Sequence, residues 1–220
     1  MSGLLSDILK GMAKGGITAS YPQFSPFLYL IDEMQSGIFK RRFNDFENRV
    51  NNDLQMIKDV QIQQLVDNQM FATVVYIAGQ LAFKTNDTKR QLLAHAVVNT
   101  PSCKLSEDTV VILLNCIEKY SMRHLCLLRF LQNPKEYEPK DYYLSTSSMQ
   151  RFYDYYSKRE GELDRIIISD LHSDGMINTE SLFVGESIDG SLEKKTTNLG
   201  DDMIAFFGID KFPKLYNDAE

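Results

Sequence analysis

Apolar residues recur at three- and four-residue spacing along most of this chain, and each stripe predicts a helix. Leu4, Leu5, Ile8, Leu9 and Met12 share one face, with Lys10 and Lys14 beside it and Gly11, Gly15 and Gly16 loosening the end. From Ser25 onward the stripe lengthens. Phe27, Leu30, Ile31, Met34, Ile38, Phe39, Phe43, Phe46, Val50, Leu54 and Ile57 predict one long helix that has to pack against others. A second helix is expected over residues 61–84, with Leu65, Phe71, Val74, Val75, Ala78 and Leu81 inward. It ends at Thr85-Asn86-Asp87, where Asp87 or Thr88 caps the next. A third helix, KRQLLAHAVVN, stops at Pro101. A fourth, VVILLNCIEKY, follows Ser106, and Ser121 caps a fifth, MRHLCLLRFLQN, which Pro134 closes.

After Pro134 the pattern changes. Residues 148–159 predict a short tyrosine-rich helix and 161–173 another, followed by short strands around 181–184 and 193–196 and a last helix with Met203, Ile204, Phe206 and Phe207. The chain therefore divides into an amphipathic, glycine-containing segment (1–24), a helical bundle (25–133), a linker (134–147), a small α+β domain (148–210) and a tail (211–220). The fold class is mainly α. The phrase LHSDGMI, followed by TTNLGDDMIAFF, resembles winged-helix proteins, whose third helix ends in a Leu-x-x-x-Gly-hydrophobic-Ile turn and whose wing returns through Thr-x-x-Gly. Gly175 suits the left-handed conformation that ends a helix, with Met176 and Ile177 covering the core beneath.

Charge weighs against the nucleic-acid function that a winged helix implies. The 220 residues carry a formal net charge of -6, and duplex binding depends on cations that displace counterions. Between residues 145 and 210, six Lys or Arg stand against thirteen Asp or Glu. Lys194 and Lys195 on the expected wing are the local exception, and they keep a DNA-binding regulator as an alternative. The trio Lys40, Arg41 and Arg42 suits phosphate or acidic lipid, although Asp45 and Glu47 follow closely and favour a solvated face. Tyr153 and Tyr156, within a wider tyrosine cluster, suit an interface because their rings are amphipathic.

Catalytic chemistry finds little footing. Asp170-x-His172, after Ile166, Ile167 and Ile168, resembles the first motif of calcineurin-like metallophosphoesterases. That family also needs Gly-Asp-x-x-Asp, Gly-Asn-His and Gly-His-x-His, none of which occurs, and only 48 residues follow His172. Helical spacing fits the segment better, with Leu163, Ile166, Ile167 and Leu171 inward and Asp170 and Asp174 elsewhere. The three cysteines, Cys103, Cys116 and Cys126, lack metal-ligand spacing and suit buried thiols in a reducing compartment. No phosphate loop, dinucleotide fingerprint or nucleophile elbow is present. No catalytic residue, metal or cofactor is expected.

The residues Lys89, Arg90, Leu93, Ala94 and Ala96, with Ser121, His124, Leu125 and Leu128, resemble a broad group of bacterial proteins that includes the abortive-infection alpha family, over residues 60–210. The resemblance lies in core positions and caps. It implies a fold, and a non-enzymatic interaction or regulatory role in phage defence or stress response. A protein partner or self-association is expected, in the cytoplasm. The alternative is a membrane-directed effector that uses residues 1–24 at the inner face of the membrane.

Overall fold

The computed structural model describes residues 37–54, 68–137, 147–156 and 160–211. The N-terminal segment 1–24, most of the linker 134–147 and most of the tail 211–220 lie outside the described residues. Those described form nine α-helices and no strand: α1 (Ile38–Leu54), α2 (Gln69–Lys84), α3 (Asp87–Asn99), α4 (Glu107–Lys119), α5 (Met122–Gln132), α6 (Ser148–Tyr156), α7 (Glu162–Ser173), α8 (Ile188–Leu192) and α9 (Asn198–Phe207). The chain is mainly helical, as its periodicity predicts.

Two compact units divide between Glu118 and Lys119. In the first, α1 packs on both α2 and α3. Helix α1 buries Phe43, Phe46, Val50 and Leu54, one face at three- and four-residue spacing. It starts later than its apolar stripe does, because Gly37, at φ 104°, precedes it in a conformation no helix continues through. Helix α2 likewise begins at Gln69 rather than near residue 61. Asn68 is extended and accepts the Phe71 amide at 2.9 Å, which makes it a cap. The next cap is Asn86, which accepts from the Lys89 amide at 2.9 Å, in place of the expected Asp87 or Thr88. Asp87 occupies the first turn of α3, where a negative charge meets the helix dipole. Thr73 and Glu107 share a hydrogen bond at 2.8 Å, and Lys84 pairs with Glu118 at 3.1 Å, so α4 is tied to α2 at both ends.

The second unit is built around α5. Nine of its eleven residues are buried, including Arg123 and His124, so this helix is enclosed on nearly all sides. Helices α7 and α9 both pack on it. From sequence it is the last helix of the N-terminal bundle, ended by Pro134. Proline does end the helix, but the apolar surface of α5 is buried within the C-terminal unit.

Helix α7 closes with a Schellman turn, in which the Gly175 amide donates to the His172 carbonyl at 2.9 Å and the Met176 amide to Leu171 at 2.8 Å. Gly175 takes φ 74°, the left-handed conformation expected of it. The paired strands expected around 181–184 and 193–196 do not form. An antiparallel bridge joins Ile177 to Thr196 instead, and Ser187 caps α8 by accepting the Gly190 amide. The Lys195 amide donates to Leu131 O at 2.9 Å, its carbonyl accepts from the Asn178 amide at 3.0 Å, and Met149 N donates to Leu182 O at 3.0 Å, so the two candidate strands bond to other segments. Thr197 caps α9 and donates its hydroxyl to Gly175 O at 2.6 Å, which joins the two quoted phrases in space.

Candidate functional site

The residues singled out for interaction do not converge. Lys40 and Arg41 are exposed on the first turn of α1, but Arg42 is half-buried and donates to Phe83 O at 2.7 Å, satisfying a carbonyl in the last turn of α2. Lys194 is ion-paired with Asp201. Lys195 pairs with Glu186 at 3.2 Å and donates to Gly190 O at 3.0 Å. The two lysines that a groove-binding wing would need are thus each answered by a carboxylate. Tyr156 is half-buried, its ring 4.6 Å from Phe152, and burial pushes its phenol far up. Tyr153 turns its hydroxyl inward to Asp164 at 2.8 Å. The outward-facing tyrosine of α6 is Tyr155.

Helix α7 presents two unlike faces. Its buried face is Asp164, Ile167, Ile168 and Leu171, which is the expected stripe rotated by about one residue. Asp164, 1% exposed, is held by a two-pronged ion pair with Arg123, 5% exposed: Nη2 to Oδ2 is 3.0 Å. The Glu160 amide and the Tyr153 hydroxyl complete the carboxylate's hydrogen bonds, and Arg123 also lies 5.3 Å over the Phe152 ring. Burial works against the charged carboxylate, but the bonds from Arg123, Tyr153 and Glu160 outweigh it and keep Asp164 below its usual range. Sequence reasoning missed this pair. The available signal was an aspartate at the head of an i, i+3, i+4, i+7 apolar stripe, together with an arginine inside an otherwise apolar helix.

A second polar cluster lies at the head of α5. His124 stacks flat on Tyr120, with centroids 4.9 Å apart. Its Nδ1 accepts the Ser121 amide at 3.1 Å and lies 2.8 Å from the Ser121 hydroxyl, and Nε2 is 3.4 Å from Asp170. With Nδ1 accepting, the proton sits on Nε2 and faces the carboxylate. Hydroxyl, imidazole and carboxylate are in sequence here, but the nitrogen facing the hydroxyl already serves as a helix cap. Lys119 bridges Asp170 at 3.2 Å and Asp174 at 2.9 Å, and Tyr120 donates to Asp174 at 2.9 Å. Asp170 and His172 of the phosphoesterase-like phrase lie on α7 rather than at a strand end. Among the described residues no group of three or more His, Cys, Asp or Glu side chains is gathered for a metal ion.

The outer face of α7 is different in character. Leu163 is 42% exposed and Ile166 57%, one turn apart, and Glu162, Arg165, Ser169 and Ser173 stand exposed around them. Arg165 lies 4.8 Å over the Phe183 ring, and the residue after it, Val184, is 64% exposed. This apolar patch rests on a helix anchored from behind by the buried ion pair. Among the described residues no helix is long and apolar enough to cross a membrane. No protein-family model, curated protein or solved structure matches the chain.

Proposed function

We propose that the second unit is a non-enzymatic protein-interaction module, laid out like a winged helix, that docks other protein surfaces through the outer face of α7. The observation that carries this reading is the pairing of Leu163 and Ile166 on solvent, on the outer face of α7. A groove-reading helix needs donors and positive charge. This one offers two aliphatic side chains, with Glu162 beside them and one nearby cation already stacked on Phe183. Exposed aliphatic pairs with a polar rim are what a docking helix presents.

The test is to compare wild type with Ile166→Asp, checked for helicity, in quantitative co-purification, duplex-DNA titration and liposome flotation. The reading expects a stoichiometric protein partner, including the chain itself, that the substitution removes. It expects no salt-sensitive DNA binding. Salt-sensitive duplex binding lost on charge reversal at Lys194 and Lys195 would overturn the reading in favour of transcriptional regulation. Recovery with acidic liposomes irrespective of residue 166 would overturn it too, and would move the function to the first turn of α1, where Ile38 and Phe39 stand exposed beside Lys40 and Arg41.

A further inference from the structure

Resting on that reading, we infer that the partner of the α7 outer face is a second copy of this chain, in an antiparallel, two-fold symmetric helix pair. The reason is self-complementarity. A two-fold interface brings the same patch together from both subunits, so each residue that meets another is met by it in return. In an antiparallel pair of helices related this way, matching flanks meet along each side of the seam. At 100° per residue, about a seam that runs through Ile166, Glu162 and Arg165 fall on one side and Leu163 on the other. Setting Leu163 opposite Ile166 of the copy brings Glu162 near the copy's Arg165, and Arg165 near its Glu162. Two apolar contacts are then flanked by two opposite-charge pairs, all made by four residues of one five-residue stretch.

The charges are placed for such a contact. Neither Glu162 nor Arg165 is ion-paired among the described residues, whereas Asp164 and Asp170 on the same helix and Asp174 at its C-cap are all engaged within their own unit. The stack of Arg165 on Phe183 fixes its guanidinium beside α7 and leaves its edge donors open. In a parallel two-fold pair opposite flanks meet, which would set Glu162 and Arg165 across from Leu163 and leave both charges without an opposite partner.

Sedimentation velocity of the full chain over a concentration series up to about 100 μM, a range that reaches weak association, tests the pairing. The variants are Glu162→Arg, Arg165→Glu, the two combined, and Ile166→Glu, each checked by circular dichroism. Each single charge reversal sets two like-charge contacts in the dimer, and weakening by about tenfold or more is expected. The double reversal restores the opposite-charge pairs and with them most of the association. Ile166→Glu abolishes it. A wild type that stays monomeric throughout overturns the inference, as does association that survives Ile166→Glu or is not restored in the double variant. A monomer that still loses a stoichiometric partner on Ile166→Asp removes the second copy but not the protein-docking role; a monomer with no such partner removes both.

Discussion

A carboxylate closed off from water is tolerated only when a cation and donors meet it, and Asp164 shows how completely this unit meets that requirement. Removing Arg123 leaves a charge buried alone, so Arg123→Ala is expected to destabilise the second unit by about 3–5 kcal/mol. Replacing both partners, as Arg123→Met with Asp164→Leu, costs far less, because no unanswered charge remains. Urea denaturation followed by circular dichroism separates the two outcomes. The carboxyls of Asp45, Asp164 and Asp201 are all held below 3.8 in the folded chain; burial opposes this, and hydrogen bonds from arginine, lysine and hydroxyl donors outweigh it. Groups depressed on folding lend stability above their unfolded pKa and lose it as pH falls through the folded value. The urea midpoint is therefore expected to decline below about pH 4 on this account. Little of this chemistry was legible in the sequence. The stripe on α7 admits two registers a residue apart, and choosing Leu163 over Asp164 for the inner face follows hydrophobicity where ion pairing decides.

At the scale of elements, helix existence was legible, and so were the starts after Ser106, Ser121 and Thr197, but the starts of α1 and α2 were not. Stripes of apolar residues run through Gly37 and Asn68 without interruption, yet each of those residues takes a conformation that stops a helix. Asn86 displaces the expected Asp87 as a cap because the cap must sit outside the helix, while a carboxylate gains more inside its first turn. The Gly175 turn and the Thr-x-x-Gly return were legible because each depends on local chemistry. The wing was not, since the hydrogen bonds of 181–184 and 193–196 depend on what α5 and α6 place beside them. Gly200 is the tightest point of this assembly. A Cβ there would collide with the Met176 carbonyl oxygen and stand 3.3 Å from Thr196 Cβ. Gly200→Ala is therefore expected to cost about 1–3 kcal/mol through overpacking, against little change for Gly185→Ala, where a Cβ meets nothing within 4 Å. Thermal melts of the two variants check the difference.

Over the whole molecule, the sequence marks Pro134 as the end of the bundle, whereas the compact units meet at Glu118 and Lys119. A proline reports where a helix stops, not which core that helix belongs to. The better clue was α5 itself: it carries apolar residues on several sides together with Arg123, and the buried partner of that arginine, Asp164, lies later in the chain. Residues 119–220 expressed alone are expected to unfold cooperatively with a measurable urea midpoint. A fragment of residues 134–220, which lacks α5, is expected to show neither. The candidate site shared this fate: the acidity of α7 was legible as an argument against DNA, but its exposed aliphatic pair appears only once Asp164 is known to face inward.

The cysteines put a natural clock in each unit. Cys116 lies buried in α4, before the division, and Cys126 lies buried in α5, after it, with burial pushing its thiol up to about 12. Neither reacts with an alkylating reagent until its surroundings open, while the half-buried Cys103 gives an early reference. Mass spectrometry of a single labelling time course therefore reads the opening equilibria of both units in the unmodified chain. Equal rates at Cys116 and Cys126 would mark one cooperative body, and a consistent gap between them two.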